Sequence, residues 1–296
     1  MLFFHALRRF GQALITSLSF GLLAFQTTAA EFTFTAIPDQ DESSLQQRFG
    51  KVAQYLEKTL GVPVRYLPVK SYPAAVSAFR SDQVQLAWFG GLTGVQARRL
   101  VPGSEAIAQG VEDQAFKSYF IAHRSTELKP SDSFPEGIRG KRFTFGAKTS
   151  TSGRLMPEFY IRQHLGAAPE TAFSALGFSG DHSRTLALVE SGSYEVGALN
   201  YAVWDDALAK GQIDATKVSV IWTSPSYPDY HWTVRGNLDE RFGTGFKEKL
   251  TKAFLDMKDP ALLQVFPRSG FIPAKNEDYT AIEETAVALD IMDKIE

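Results

Sequence analysis

The sequence contains no cysteine, and this absence excludes several kinds of chemistry at once. Disulfide bonds, a thiolate nucleophile, cysteine-bound zinc and iron–sulfur clusters are all ruled out. Histidine is also scarce, and no His-x-x-x-His pair occurs, which argues against a histidine zinc site. No Gly-Lys-Ser/Thr sequence is present, so a nucleotide-hydrolysing phosphate loop is excluded as well. We therefore expect neither a metal nor another cofactor.

An excess of charge of one sign is missing too. The 296 residues include 31 basic and 33 acidic side chains, for a net charge of −2. Such a balance gives no general attraction to nucleic acid or to anionic lipid. The apolar share of 44% excludes a disordered chain. The length suits one large domain or two smaller ones.

Beyond the first 30 residues, no apolar run is long enough to cross a membrane. Residues 1–30 themselves have the pattern of an export signal, with Arg8 and Arg9 before an apolar run at 10–25. Small residues then lead to Ala30, where we expect cleavage. An N-terminal anchor is the alternative, but the apolar run is short for it. A soluble periplasmic protein is expected.

Strand and helix patterns alternate along the rest of the chain. A strand is predicted at 32–37, followed by a helix that Ser43 caps and Gly61 ends. Val84 to Phe89 is almost entirely apolar, as in a strand covered on both faces. This alternation predicts an α/β protein with parallel sheets.

Later segments continue this alternation. A strand is predicted from Lys117 to His123, a long helix through Phe242 and Phe254, and a last helix from Tyr279 to Ile295. We interpret the chain as two lobes. One lobe takes residues 31–118 and 226–296, and the other takes 119–225. This arrangement would leave a cleft at the carboxyl ends of the strands, where α/β proteins bind ligands.

The segment Ser150-Thr151-Ser152-Gly153 follows a predicted strand and opens a helix. A helix N-terminus exposes unpaired backbone N–H groups and carries about half a positive charge. Three hydroxyl groups in succession would add further donors. This combination indicates a site for a small oxyanion, although simple helix capping would use the same residue types.

A second junction of this kind is Gly180-Asp181-His182, which places His182 at or near the start of the next helix. Its ring could donate to an anion, or it could serve as a structural donor. Asp181, His182 and Ser183 are adjacent in sequence, but a catalytic triad is defined by spatial geometry rather than by adjacency. We find no convincing nucleophile and base, so a binding protein is favoured over an enzyme.

These segments together resemble the periplasmic solute-binding proteins of phosphonate-type ABC importers, which also serve phosphite and related oxyanions. The resemblance covers most of the chain after residue 30, and the order and spacing of its segments are its specific feature. They are Ser71-Tyr-Pro-Ala-Ala75, Val84-Gln-Leu-Ala-Trp-Phe-Gly90, Phe145-Gly146 with Ser150-Thr-Ser-Gly153, Gly180-Asp-His182, the 196–200 strand and Val220-Ile-Trp-Thr-Ser-Pro225.

The resemblance implies a two-lobed type II periplasmic binding protein fold that closes over its ligand. It implies a monomer that delivers a small inorganic or organic oxyanion to a membrane permease, with no nucleic acid as a partner. An enzyme or a ligand-presenting sensor on the same fold is the alternative. Carried over by position, the ligand-binding residues are Tyr72, Ser150, Thr151, Ser152 and His182.

Two departures from the family pattern concern specificity. Where members that bind aminoalkylphosphonates hold the amine with acids, this chain has Ala202 and Tyr230, although Asp229 is adjacent. A family tyrosine at the start of the inter-lobe strand is replaced by Lys117. We expect Tyr230 and Lys117 to face the ligand, and the lysine to favour a bare dianion. The chain is also similar to a subgroup assigned to selenate uptake, so selenate, phosphite and phosphonate all stay open.

Overall fold

A computed structural model describes residues 30–293 of the chain. The predicted export signal at 1–30 lies almost entirely outside these residues. Within 30–293, no helix combines the length and the apolar character that crossing a membrane requires.

The strands form two sheets, and their bounds are as follows. They are β1 Phe32–Ala36, β2 Val64–Tyr66, β3 Leu86–Phe89, β4 Glu105–Gly110, β5 Ser118–His123, β6 Arg142–Phe145, β7 Ala175–Phe178, β8 Val196–Asn200, β9 Val218–Thr223, β10 His231–Val234 and β11 Phe271–Pro273.

The helices cover the faces of these sheets, and their bounds are as follows. They are α1 Glu42–Leu60, α2 Tyr72–Arg80, α3 Gly91–Leu100, α4 Met156–Leu165, α5 Pro169–Ala172, α6 His182–Glu190, α7 Tyr201–Ala209, α8 Leu238–Phe242, α9 Phe246–Leu255, α10 Pro260–Leu263 and α11 Thr280–Ala288. A π-helical turn, Thr151–Leu155, leads into α4.

The first sheet has six strands in the order β11-β4-β10-β3-β1-β2, and the second has five in the order β7-β6-β8-β5-β9. The second sheet is formed by consecutive strands, whereas the first receives β10 and β11 after the chain has returned. The chain therefore passes between the sheets twice. The lobe boundaries at 118/119 and 225/226 stay a prediction.

The sheets are mixed and not purely parallel, which corrects the expectation from the sequence. Strand β10 runs antiparallel to β3 and β4, and β5 runs antiparallel to β8 and β9. Both β5 and β10 are the first strands after a passage between the sheets. Each enters its sheet directly from the other lobe without a crossover helix, and only a crossover would return the chain in the parallel direction.

Several element ends differ from the predicted ones. Helix α1 is capped by Asp41, whose Oδ1 accepts from the backbone N–H of Ser44, and not by Ser43. The long helix predicted through Phe242 and Phe254 is broken into α8 and α9, because Gly243 and Gly245 adopt positive φ angles of 101° and 83°. The last helix ends at Ala288. Strands β4, β7, β10 and β11 were not predicted.

Candidate functional site

The parallel strands of both sheets end at one shared edge, and helices begin there. Helix α2 begins at Tyr72, the π-helical turn at Thr151 and α6 at His182, so three predicted ligand residues are each the first residue of a helix. Helix α3 begins at Gly91 in the same region. The positive ends of several helix dipoles thus meet between the lobes, which favours an anion.

The hydroxyl turn is buried, and its three side chains are not equivalent. The Ser150 Oγ accepts from the Gly153 N–H at 3.0 Å, so it caps the helical turn. The Thr151 Oγ1 accepts from the Leu92 N–H of the first lobe, also at 3.0 Å. The Ser152 Oγ is buried and makes no hydrogen bond of ordinary geometry, although it lies near the Asp229 carboxyl group. A buried hydroxyl without a partner is costly, so Ser152 is the member of the trio that most needs a ligand.

His182 is fully buried and presents one free N–H group. Its Nδ1 accepts from the Asn200 backbone N–H at 3.3 Å, which places the ring proton on Nε2. That Nε2 has no partner in the described part of the chain. Burial lowers the pKa of His182 to about 3, so the ring is a neutral donor at physiological pH.

The two predicted tyrosines are both buried, but their hydroxyl groups differ. The Tyr72 hydroxyl lies near Ser150, yet it makes no hydrogen bond of ordinary geometry. Burial raises the pKa of Tyr72 well above its usual value, so this hydroxyl is a neutral donor. The Tyr230 hydroxyl instead accepts from Asn200 Nδ2 at 3.1 Å. Tyr72 is thus free for a ligand, while Tyr230 joins the two lobes.

Asp229 brings a carboxyl group into the same cluster. Its Oδ1 accepts from the Gly91 N–H at 2.8 Å, and its Oδ2 is buried without a partner of good geometry. A Cβ added to Gly90 would lie 3.0 Å from this Oδ1 and 3.3 Å from the Thr151 Oγ1, so both side chains pack against Gly90. Burial raises the pKa of Asp229 to about 7.

Contacts across the cleft show that the two lobes are closed on each other. Besides the Leu92–Thr151 and Asn200–Tyr230 hydrogen bonds, the backbone N–H of His182 donates to the Asp39 carbonyl at 3.0 Å. Closure buries the free atoms of the cluster, and burial in a low-dielectric site strengthens any interaction they make with an ion.

The free atoms therefore comprise three neutral donors and one carboxyl oxygen. They are Tyr72 OH, Ser152 Oγ, His182 Nε2 and Asp229 Oδ2. None of them belongs to a cation. Such a set can hold an oxyanion with dipoles while the carboxyl group shares a proton with it. Within residues 30–293, no group of three or more acidic or histidine side chains has the arrangement of a metal site.

Lys117 is not brought into this cluster. The side chain is exposed, and β5 begins only at Ser118. Ser118 does point to the site, since its Oγ donates to the Ser152 carbonyl at 2.7 Å. Neighbouring residues of an extended chain point in opposite directions, so Lys117 faces away together with Tyr119. Its charge instead lies near Asp205.

Asp39 and Asn200 were not predicted from the sequence, and Asp229 was noted there only as a neighbour of Tyr230. Asp39 and Asn200 each stand at or just after the carboxyl end of a strand, β1 and β8, and that position was the available signal. Asp229 could not be found this way, because it precedes β10, which was not predicted. Strand β10 runs antiparallel, so its first residue lies at the edge where the parallel strands end.

Comparison with known proteins places this geometry in context. Residues 34–279 match the family described as ABC transporter, phosphonate, periplasmic substrate-binding protein. A probable ABC transporter phosphite binding protein, PhnD1 of Prochlorococcus marinus, is 41% identical over 256 residues, which cover 84% of this chain and 86% of the relative.

Solved structures agree with this match. The structure of that PhnD1 in complex with methylphosphonate has a TM-score of 0.85 at 40% identity and covers 88% of this chain and 99% of its own. A binding component of a phosphonate ABC transporter from Pseudomonas aeruginosa has a TM-score of 0.77 at 20% identity, covering 88% and 87% of the two chains, which supports the fold. The predicted two-lobed periplasmic binding protein fold is confirmed.

Proposed function

Because the chain belongs to the family of periplasmic substrate-binding proteins of phosphonate ABC transporters, we propose that it binds a small phosphorus oxyanion of the phosphite or methylphosphonate class in the inter-lobe cluster. The chain is the substrate-binding component of an ABC importer and works with a membrane permease; its relatives are transporter components and not enzymes. The family implies a periplasmic location, and we propose that residues 1–30 direct export there. A monomer remains our expectation.

The observation that carries the proposal is the set of buried, unpartnered atoms Tyr72 OH, Ser152 Oγ, His182 Nε2 and Asp229 Oδ2. Each would be costly to leave unsatisfied, and one tetrahedral anion could satisfy all four. The hydroxyl groups of Ser150 and Thr151 already accept one hydrogen bond each, and each keeps a proton to donate. The predicted hydroxyl turn would therefore supply up to three donors to the ligand.

Asp229 supports a phosphorus anion over selenate. The carboxyl group and the anion can approach only if one proton lies between them, since two bare negative charges would repel each other in a buried site. Phosphite and phosphonates lose their second proton near neutral pH, as phosphate esters do at about pH 6. Selenate is the anion of a strong acid and therefore a much weaker base, so it accepts the proton of Asp229 less well than phosphite or a phosphonate does.

The narrow space next to the free atoms, on the side of Tyr230, supports a small ligand. Beside Tyr230, the space lined by Asp39, Trp88, Asn200 and Ala202 amounts to about 10 Å³, which is no more than one water occupies. An aminoalkyl chain has no room there in the closed form. This volume supports a bare or methyl-substituted anion.

Isothermal titration calorimetry with phosphite, methylphosphonate, selenate and 2-aminoethylphosphonate tests the proposal. We expect phosphite and methylphosphonate to bind, and the other two to bind at least tenfold more weakly, about the value of one hydrogen bond to a charged group. Recovery of the ligand unchanged after incubation would agree with a binding protein. Tightest binding of selenate or of 2-aminoethylphosphonate would contradict the proposal.

The pH dependence adds a second readout. A complex that shares one proton should show maximal phosphite affinity near the pKa values of Asp229 and the ligand, with weaker binding on either side. Selenate affinity should instead only rise toward lower pH, because only Asp229 can supply the proton. Parallel profiles for both anions would refute the assigned role of Asp229.

A further inference from the structure

A buried histidine lies directly behind Asp229 and has no place among the ligand-facing atoms. The ring of His231 is fully buried and stacks on Tyr279 with ring centroids 3.8 Å apart. Space for it exists only because residue 94 is glycine: a Cβ there would lie 2.2 Å from the His231 Nε2. A polar ring buried this tightly needs partners for both nitrogens.

Both ring nitrogens of His231 have partners, and these fix its tautomer. Arg98 Nη1 donates to Nε2 at 2.6 Å, and a guanidinium group can only donate. The ring proton must therefore lie on Nδ1, which donates to the backbone carbonyl of Asp229 at 3.0 Å. Burial, with the adjacent Arg98 charge, lowers the pKa of His231 well below its usual value and keeps the ring neutral.

Together with two other hydrogen bonds, the His231 contact holds Asp229 at three points. Its backbone N–H donates to the Asp113 carbonyl at 3.0 Å, its carbonyl accepts from His231, and its Oδ1 accepts from the Gly91 N–H. These contacts fix the peptide on both sides of the Cα atom and one of the two carboxyl oxygens. Only Oδ2 is left for a ligand.

We propose that His231, oriented by Arg98, is a positioning residue that holds the Asp229 carboxyl group in register with the bound oxyanion. The inference rests on the proposed function. Without the Nδ1–H contact, the Asp229 carbonyl would lose a buried partner and the peptide could rotate. The carboxyl oxygen would then move relative to the donors of the opposite lobe, and small displacements of this kind weaken a preorganised site.

A double-mutant cycle between His231 and Asp229 tests this role. His231→Phe keeps a flat ring against Tyr279 but removes both hydrogen bonds. Asp229→Asn removes the acid. We expect His231→Phe to weaken methylphosphonate binding roughly five- to tenfold in the natural background, and less than twofold when Asp229 is already Asn. His164→Phe is the matched control, because His164 stacks on Phe134 at 4.5 Å in the second lobe.

The outcomes separate the possible failures. Equal losses of methylphosphonate affinity in both backgrounds would make His231 a merely structural residue and overturn the proposal. No loss of affinity in either background would overturn it as well. If His231→Phe does not fold, His231→Asn and His231→Ala are compared instead. The asparagine amide N–H can reach the Asp229 carbonyl, whereas alanine has no donor. If His231→Asn recovers at least half of the affinity that His231→Ala loses, measured as log Kd, the positioning role is supported. If the natural protein binds neither phosphite nor methylphosphonate, the proposed function fails and this inference fails with it.

Discussion

Replacing Ser152 with alanine separates ligand binding from folding more cleanly than any other change in the hydroxyl turn. The Ser152 Oγ is buried and makes no hydrogen bond of ordinary geometry, although it lies near the Asp229 carboxyl group, whereas the Ser150 Oγ caps the helical turn and the Thr151 Oγ1 joins the lobes. Removing the Ser152 hydroxyl therefore costs the ligand-free protein no hydrogen bond of ordinary geometry. Removing either neighbour disrupts a contact that exists without ligand.

The magnitudes follow from these contacts. A hydrogen bond to a charged group contributes about 1.5–3 kcal/mol, so Ser152→Ala should weaken phosphite or methylphosphonate binding roughly 10- to 150-fold. The free energy of unfolding of the ligand-free variant should not fall by more than about 0.5 kcal/mol below that of the natural protein, because the substitution leaves no buried partner without its hydrogen bond. Ser150→Ala should lose affinity as well and also destabilise the ligand-free protein by about 0.5–2 kcal/mol, the usual effect of removing an N-cap.

Calorimetric titration and urea denaturation of the two variants provide the comparison. Matched losses of stability in Ser150→Ala and Ser152→Ala would show that the Ser152 hydroxyl has a structural partner after all. Unchanged affinity in Ser152→Ala would refute the reasoning directly, since an unsatisfied buried donor would then have no role in holding the anion.

Three further predictions concern charged residues. Burial raises the pKa of Asp229 to about 7, so the folded protein keeps a proton that the unfolded chain releases above about pH 4, and ligand-free stability falls as the pH rises between these values. In urea denaturation, the free energy of unfolding of Asp229→Asn should therefore exceed that of the natural protein by up to about 4 kcal/mol at pH 8 and by little at pH 4. An equal difference at both pH values would contradict this. Arg268 forms a buried bidentate pair with Asp113, so Arg268→Met should cost about 3–5 kcal/mol of stability, partly restored by adding Asp113→Asn; a double variant no more stable than the single one would argue against this cause. Lys117→Gln should change phosphite affinity less than twofold in calorimetry, and a selective loss of dianion binding would return Lys117 to the site.

The sequence allowed much of the fold to be predicted, because hydrophobic periodicity and helix caps are local signals. Strand β1 and the end of helix α1 at Gly61 are examples. Strand direction is not local. The parallel sheets expected from alternating strands and helices proved to be mixed, because β5 and β10 enter from the opposite lobe, and nothing within either segment encodes that origin.

For the site residues, too, local signals could be predicted from the sequence and contacts between distant segments could not. A hydroxyl-rich helix start predicted Ser152 from adjacent residues alone. Lys117 was placed at the correct edge of the sheet, but a shift of one residue in the start of β5 decides which side chain points inward, and Ser118 does. Asp229 depends on an unpredicted strand and on a buried environment built from both lobes. Such a residue becomes visible only when the distant segments are brought together.

The central claim is that one small oxyanion satisfies the free atoms between the lobes, and a crystal structure with bound phosphite or methylphosphonate tests it most directly. The anion should lie within hydrogen-bond distance, about 2.5–3.2 Å, of Tyr72 OH, Ser152 Oγ, His182 Nε2 and Asp229 Oδ2. An anion bound elsewhere, or one in the cleft that leaves Ser152 and His182 without a partner, would contradict the account.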